Sequence, residues 1–542
     1  VLGRRRLPGL TEALHAVHFP RDLNRAWQAQ HRLRFEEAFV LQAELARRRY
    51  STAALPATPR VAVPGGLVDA LDAQLPFELT EGQQRVGAEI TSDLSRHHPM
   101  HRLLQGEVGA GKTVVALRAM LAVVDTGGQA ALLAPTEVLA QQHYRSLNQL
   151  LGSLAQRGML GGSDIGTRVA LVTGSMPAAA RREALLEIGV GNAGIVVGTH
   201  ALLEERVQFF DLGMVVVDEQ HRFGVEQRAA LSAKSRDGTR PHVLVMTATP
   251  IPRTVAMTVF GDLEISTLAD LPLGRADVAT HVVPVDEKPH YLDRAWQRVR
   301  EEAEAGHPVY IVCPRIGDGT DEAPSADEAP AADDDGGRRR PLAVLDLADS
   351  LREGPLAGVP IEILHGRMAP EAKETAMARF SSGQVPVLLA TTVVEVGVDV
   401  PTASMMVIMD ADRFGVSQLH QLRGRIGRGA TPGICLLVTD SAPGSPARDR
   451  LDAVAATRNG FELSRVDLEQ RREGDVLGAA QSGYRSSLKL LKVIRDEDLI
   501  RDARDDASAV VAADPELTEH PTLAEAVALA LAAQNADLMD KA

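Results

Sequence analysis

The sequence predicts an α/β chain in which two doubly wound parallel-sheet domains stand in tandem, with helical segments before and after them. Three observations carry this. Short apolar runs alternate with helical stretches, the alternation occurs twice, and a glycine-rich strand–loop–helix signature sits in the first round. Uniformly apolar strands belong to a sheet covered on both faces, and the helices between them imply parallel crossovers. At 542 residues the chain exceeds a single hydrophobic core and calls for roughly two to four domains.

In chain order, residues 1–75 read as a helical linker segment. Its strongest helix pattern is Arg25–Tyr50, where Phe35, Ala38, Leu41 and Leu45 share an apolar face, and Pro56, Pro59 and Pro64 end it. Residues 76–275 form the first α/β domain, with strands expected at Ala130–Ala134, Val169–Val172, Ile195–Val197, Met214–Val217 and Val243–Met246. Residues 276–440 form the second, with strands expected at Val309–Val312, Ile361–Leu364, Val387–Leu389, Met405–Met409 and Ile434–Val438. An insertion, residues 317–340, follows the first of these. Its stretch Gly317–Gly337 holds eight acidic residues and no basic one, and such a composition buries too little to fold, so disorder is expected. Residues 441–542 are charged and helical and close on an Ala/Leu helix, Leu523–Ala533.

The formal net charge of −14 argues against a protein that coats DNA non-specifically. Charge acts locally, however, and the insertion accounts for much of the imbalance, which leaves room for a basic track on one face. Cys313 and Cys435 each lie in an apolar run, far apart in sequence. They cannot make a Cys-rich zinc site, and they are expected to be buried and reduced, which fits the cytoplasm. No apolar run approaches the ~20 residues that span a bilayer. His97, His98 and His101 form a small cluster, expected to be surface rather than metal ligands.

The chemistry is carried by two motifs in the first domain. Gly106-Glu-Val-Gly109-Ala-Gly111-Lys112-Thr113 matches G-x-x-x-x-G-K-[ST], follows the apolar step Leu103-Leu104 and precedes an amphipathic helix. Glycines let backbone N–H groups turn inward around phosphate oxygens, and the helix N-terminus adds its dipole. Lys112 would reach the β and γ phosphates of ATP, and Thr113 would ligate Mg²⁺. The strand Met214–Val217 then runs into Asp218-Glu219-Gln220-His221, at the strand edge where α/β folds bind ligands. Asp218 would hold Mg²⁺, and Glu219 would orient and deprotonate the attacking water. Gln83, ahead of the phosphate loop, could read the adenine edge.

The second domain narrows the choice of machine. Gln421-Leu-Arg423-Gly424-Arg425-Ile-Gly427-Arg428 places three arginines within six residues, separated by glycines that permit a tight approach. Arginines offered across a cleft can neutralise charge on a transferring phosphoryl group, and Arg425 and Arg428 are the candidates. Gly397 and Asp399 lie between two strands and could sense the nucleotide. Arg367, after His365-Gly366, and Thr392, after Thr391, close strands and can offer N–H or hydroxyl groups to a phosphate backbone.

In this order the motifs resemble those of a superfamily 2 helicase, over about residues 76–440. The resemblance implies two RecA-like domains. It makes Gln83 the adenine-recognition residue, Thr136 and Thr199-His200 part of DNA-contacting motifs, and His221 with Thr247-Ala-Thr249 the link between hydrolysis and DNA. Gly397, Asp399, Arg425 and Arg428 then fall in the nucleotide motifs of the second domain.

The narrower resemblance is to the RecG family. It rests on Asp218–Arg228, Met246–Thr254, Ser417–Arg425 and the helix Arg34–Gln42. The Mfd transcription-repair coupling translocases share much of this motor but carry a sizeable further domain. About sixty residues follow Gln481-Ser-Gly483, which favours RecG. The family resemblance implies ATP-driven movement on duplex DNA, regression of replication forks and branch migration of Holliday junctions in recombination and repair. It further implies a monomer associated with the nucleoid, with single-strand-binding protein as a partner and no membrane. RecG proteins also carry an N-terminal wedge domain of OB type, and the chain is expected to begin after it. In the post-motor region, thought to couple ATP state to DNA movement, Asp467–Asp475 and Ala479-Ala480 depart from the family pattern.

Three other readings stand beside this one. A non-hydrolysing nucleotide switch would need a broken catalytic set, and Glu219, Arg425 and Arg428 are present. An RNA helicase could run on the same motor motifs. A passive DNA scaffold fits neither the acidic balance nor the intact ATP site. The few aromatics near the DNA motifs disfavour a base-stacking grip on single strands.

Overall fold

The structure is a computed structural model. It describes the chain except at residues 159–162, 164, 219–237, 249–251, 253–254, 257, 259–260, 262, 271–276, 317–341, 393–399, 401, 430, 471–489, 492–494 and 540–542. The acidic insertion therefore lies outside the described residues.

Helices α1 (Leu2–Arg5), α2 (Leu10–His18), α3 (Leu23–Ala53) and α4 (Leu67–Gln74) lead into the first lobe. That lobe contains α5 (Glu81–Leu94), β1 (His101–Gly106), α6 (Lys112–Asp125), β2 (Gln129–Leu133), α7 (Glu137–Leu151), β3 (Arg168–Val172), α8 (Ala178–Gly189), β4 (Ala193–Gly198), β5 (Leu212–Asp218), β6 (His242–Thr247) and β7 (Glu264–Leu268). The second lobe contains β8 (Val278–Pro284), α9 (Pro289–Glu304), β9 (Val309–Val312), α10 (Val344–Glu353), β10 (Ile361–Leu364), α11 (Pro370–Ser381), β11 (Val387–Ala390), β12 (Met405–Ile408), α12 (Val416–Arg423) and β13 (Gly433–Thr439). Helices α13 (Pro446–Ala456), α14 (Gly460–Gln470), α15 (Glu497–Ala513) and α16 (Pro521–Met539) follow.

Among the described residues the strands build a seven-stranded sheet, β3-β4-β2-β5-β6-β1-β7, and a six-stranded sheet, β10-β11-β9-β12-β13-β8. Every pairing is parallel. This is the expected fold class: two doubly wound α/β lobes with helical flanks.

Alternate strand residues face opposite layers, as a pleat requires. Ala130 and Leu132 pack with α4–α7, whereas Ala131 and Leu133 pack on the other side with Ile188 of α8. In the second sheet Tyr310 and Val312 face α11–α14, and Val309 and Ile311 face α9 and α10. Cys313 and Cys435 are free and buried, and burial pushes the Cys435 thiol up to about 12.

Helix α3 spans the expected Arg25–Tyr50 but turns a different face inward. Phe35, Ala38 and Leu45 are buried as expected, while Leu41 is only half-buried and Gln42 is fully buried instead. The face is shifted because α3 meets α15 as well as the sheet. Phe35 and Ala38 share a core with Leu103, Val243, Val245 and, from α15, Leu499, Ile500 and Ala503. Ala43 and Ala46 pack on Ala507 and Val511.

Candidate nucleotide site between the lobes

The phosphate loop joins β1 to α6. Gly109 and Gly111 have φ of 84° and 83°, the left-handed region that side chains avoid, so the loop's curl depends on them. Gly111 begins α6 with no side-chain cap, which leaves first-turn N–H groups facing an incoming anion. Lys112 Nζ donates to the carbonyls of Gly106 at 2.9 Å and Glu107 at 3.0 Å, so the ammonium lies folded over the loop. Thr113 follows, half-buried.

Gln83 is almost fully buried behind this loop. Its amide accepts from Thr80 N–H at 3.0 Å, closing a capping box at the start of α5, and donates to the Ala110 carbonyl at 3.0 Å. The structure thus gives Gln83 a buttressing contact on the phosphate loop, in addition to the adenine contact expected from sequence.

Asp218 ends β5, two strands from β1 in a wholly parallel sheet, and so shares the carboxyl edge with the phosphate loop. Its Oδ2 accepts from His143 Nε2 of α7 at 2.7 Å. Between them, β6 ends at Thr247, which is buried. The hydroxyl of Thr113 and the carboxylate of Asp218 are hard oxygen donors of the kind Mg²⁺ takes with substrate phosphates. Among the described residues no group of three or more His, Cys, Asp or Glu could hold a metal ion. Glu219, His221, Thr249, Gly397 and Asp399 lie outside the described residues.

The arginine segment of the second lobe meets the loop directly. A Cβ on Gly424 would stand 2.9 Å from Val108 Cβ, so α12 ends against the phosphate loop. The Glu107 carboxylate accepts from His420 Nε2 of α12 at 2.7 Å and from Gly460 N–H, the first residue of α14, at 2.6 Å. Burial alone raises this carboxyl. The hydrogen bond from His420, the Gly460 amide and the Lys112 ammonium outweigh it and hold Glu107 below the usual carboxylate range. Of the three arginines, Arg423 is buried and donates to the carbonyls of Val454 at 2.7 Å and Thr457 at 2.9 Å, a packing contact. Arg425 and Arg428 are half-buried, and Arg428 Nε donates to the Gly424 carbonyl at 2.9 Å.

Family models match this layout in order. A DEAD/DEAH box helicase model covers residues 80–258, a helicase conserved C-terminal domain covers 339–430, and a model described as ATP-dependent DNA helicase RecG, domain 3, C-terminal covers 457–527. The chain is 53% identical over 494 residues to the ATP-dependent DNA helicase RecG of Mycobacterium tuberculosis, covering 91% of this chain and 66% of that protein. It is 39% identical over 509 residues to that of Bacillus subtilis, covering 94% of this chain and 69% of that protein. The chain belongs to the RecG family. A solved RecG bound to a three-way DNA junction superposes with a TM-score of 0.68 at 34% identity, covering 92% of this chain and 60% of that one. The chain thus spans about two thirds of the length of its mycobacterial RecG relative. The match at 457–527 is to a model that carries the RecG description itself.

The candidate DNA positions of the chain divide by exposure. Thr136 caps α7 by accepting from Leu139 N–H at 3.3 Å. Thr199 is buried and accepts from Ala201 N–H at 3.4 Å, so it shapes the turn that presents the exposed His200 rather than offering its own hydroxyl. In the second lobe Arg367 is exposed and Thr392 half-buried, both beyond strand ends. Lys373 donates to the Gly366 carbonyl at 2.7 Å and adds positive charge beside Arg367. His143, Glu107 and His420 were not singled out from the sequence. A histidine on an amphipathic helix or a glutamate in a loop carries no local mark of a partner far along the chain.

Proposed function

We propose that the chain is an ATP-dependent double-stranded DNA translocase that remodels branched DNA, regressing forks and migrating Holliday junctions in recombination and repair. The observation that carries this is the meeting of two lobes at one phosphate loop. Lys112, Thr113 and Asp218 come from one side, and α12, with Arg425 and Arg428, abuts Val108 from the other. Lys112 leaves two backbone carbonyls to grip β and γ phosphates. Thr113 and Asp218 would hold Mg²⁺, which when bound would supply positive charge to the phosphoryl group in transfer. Glu219 orients water, and Gly397 and Asp399 monitor the nucleotide. Closure of the cleft brings up Arg425 and Arg428, and hydrolysis releases it.

DNA is gripped mainly through phosphates by the region of Thr136, His200, Arg367 and Thr392, with His221, Thr247 and Thr249 relaying the cycle. Affinity then falls steeply with salt and depends little on sequence. The RecG structure solved on a three-way junction supports branched DNA as the substrate. The same reading makes the protein a cytoplasmic, nucleoid-associated monomer with single-strand-binding protein as a partner. Among the described residues no helix is long and apolar enough to cross a membrane.

The test is ATP hydrolysis by this chain with no nucleic acid, duplex DNA, a four-way junction, single-stranded DNA and RNA at fixed low salt. Stimulation by duplex or junction is expected, and Lys112→Ala abolishes turnover. Stimulation by RNA alone, or turnover retained in Lys112→Ala, overturns the reading.

A further inference from the structure

At Glu107 three parts of the molecule meet. Its main-chain carbonyl accepts from Lys112 Nζ at 3.0 Å. One carboxylate oxygen accepts from His420 in the second lobe, and the other accepts from the Gly460 amide that opens α14. His420 in turn faces Arg423 through Nδ1 at 3.1 Å. A guanidinium only donates, so Nδ1 accepts and the ring proton sits on Nε2, pointed at Glu107. Arg423 continues the path to the carbonyls of Val454 and Thr457. Both branches therefore end on the α13–α14 connection, residues 454–460.

A nucleotide draws Lys112 Nζ from the Glu107 carbonyl to its phosphates. The residue that feels this at its backbone is the one whose side chain holds the second lobe and the first turn of α14. The geometry points to Glu107 as a positioning residue that transmits the state of the phosphate loop to the α13–α14 connection, an inference that rests on the ATP-motor reading. It acts through His420 and Gly460.

Hydrogen exchange on the whole chain, with and without Mg²⁺ and a non-hydrolysable ATP analogue, tests it alongside DNA-stimulated turnover. In the unaltered chain, exchange over residues 457–463 changes severalfold on adding nucleotide. Glu107→Gln leaves one acceptor oxygen for two donors, so the Gly460 amide exchanges about tenfold faster and the nucleotide-dependent change is lost. Stimulation by duplex DNA falls about tenfold. His420→Ala breaks one branch of that path from the other lobe without touching the loop, and the double variant is no worse than Glu107→Gln alone, as a shared path requires. The inference is overturned if the change over 457–463 is absent from the unaltered chain or survives in Glu107→Gln. It is likewise overturned if exchange rises equally with and without nucleotide, which is what a static strut gives, or if the two substitutions add. Absence of ATP turnover in the unaltered chain sinks the motor reading instead, and the exchange comparison still decides the role of Glu107.

Discussion

His143 Nε2 reaches Asp218 Oδ2 at 2.7 Å, and because an ionised carboxylate only accepts, the histidine donates. That bond fixes the carboxylate's rotation in the position proposed for Mg²⁺, and partners behind a metal ligand commonly alter metal affinity 10–100-fold. His143→Ala is expected to raise the Mg²⁺ concentration for half-maximal turnover about tenfold with the fold intact; an unchanged Mg²⁺ titration removes the role. His242 makes a different kind of prediction. Its Nδ1 accepts from Met100 N–H at 3.1 Å and its Nε2 donates to the Thr58 carbonyl at 3.1 Å, so only the neutral ring fits. Burial first, and the charges of Arg60, His101 and His98, push its pKa from 6.5 down to about 4. The unfolded chain then binds the proton first. The stabilisation is complete above pH 6.5 and is lost as pH falls through 4, roughly 3 kcal/mol in all. Urea midpoints between those pH values should flatten in His242→Gln, and parallel curves would contradict this. The phosphate loop was legible because its curl demands glycine at Gly109 and Gly111. His143 and Glu107 were not, because their partners lie 75 and 313 residues away.

At the scale of the element, legibility followed burial. The interior strands read as apolar runs because both faces are covered. The strands β7 and β8 were missed because polar residues interrupt them, whereas the other two edge strands, β3 and β10, keep a mostly apolar run. Glu264-Ile-Ser-Thr-Leu268 and Val278-Ala-Thr-His-Val-Val-Pro284 alternate or end in polar positions and expose part of one face. The contact of α12 with the phosphate loop was also hidden, since spacing alone does not show what a glycine approaches. Gly424 has a φ of −64°, which any residue adopts, so its requirement is space alone. A Cβ there meets Val108 Cβ at 2.9 Å and Cγ1 at 3.0 Å, atoms tied to the loop and unable to swing aside. Gly424→Ala should therefore wedge the lobes apart, lowering ATP turnover about tenfold while changing thermal stability by less than about 1 kcal/mol. Wild-type turnover in that variant would mean that the loop yields without consequence.

At the scale of the molecule, the two ends of the chain form one structure. The sequence shows that α3 and the C-terminal helices each have an apolar face, but not that these faces meet. In the structure α15 returns from the second lobe to pack on α3 and on the outer face of the first sheet. The post-motor helices α13 and α14 thus pack on the second lobe, with Gly460 on Glu107 in the cleft, while α15 packs on the first, so the segment touches both bodies that hydrolysis is proposed to move. Its anchorage includes Asp506, nearly buried on α15, which pairs with Arg4 and with Arg5 Nε at 2.9 Å. Arg5 also pairs with Asp502, so a change at Asp506 weakens the anchor without stripping it. Asp506→Ala removes charge-assisted bonds in a half-dry setting, for about 2 kcal/mol of local stability. The phosphate loop is not touched by this change, so affinity for an ATP analogue should stay within about twofold, well under the tenfold that 1.4 kcal/mol represents. If the segment must be held at both ends to convert cleft closure into movement on DNA, stimulation of hydrolysis by duplex should drop severalfold while nucleotide binding persists. Equal loss of both would mean that the variant has unfolded the first lobe, and retention of both would mean that α15 is a passive cover on α3.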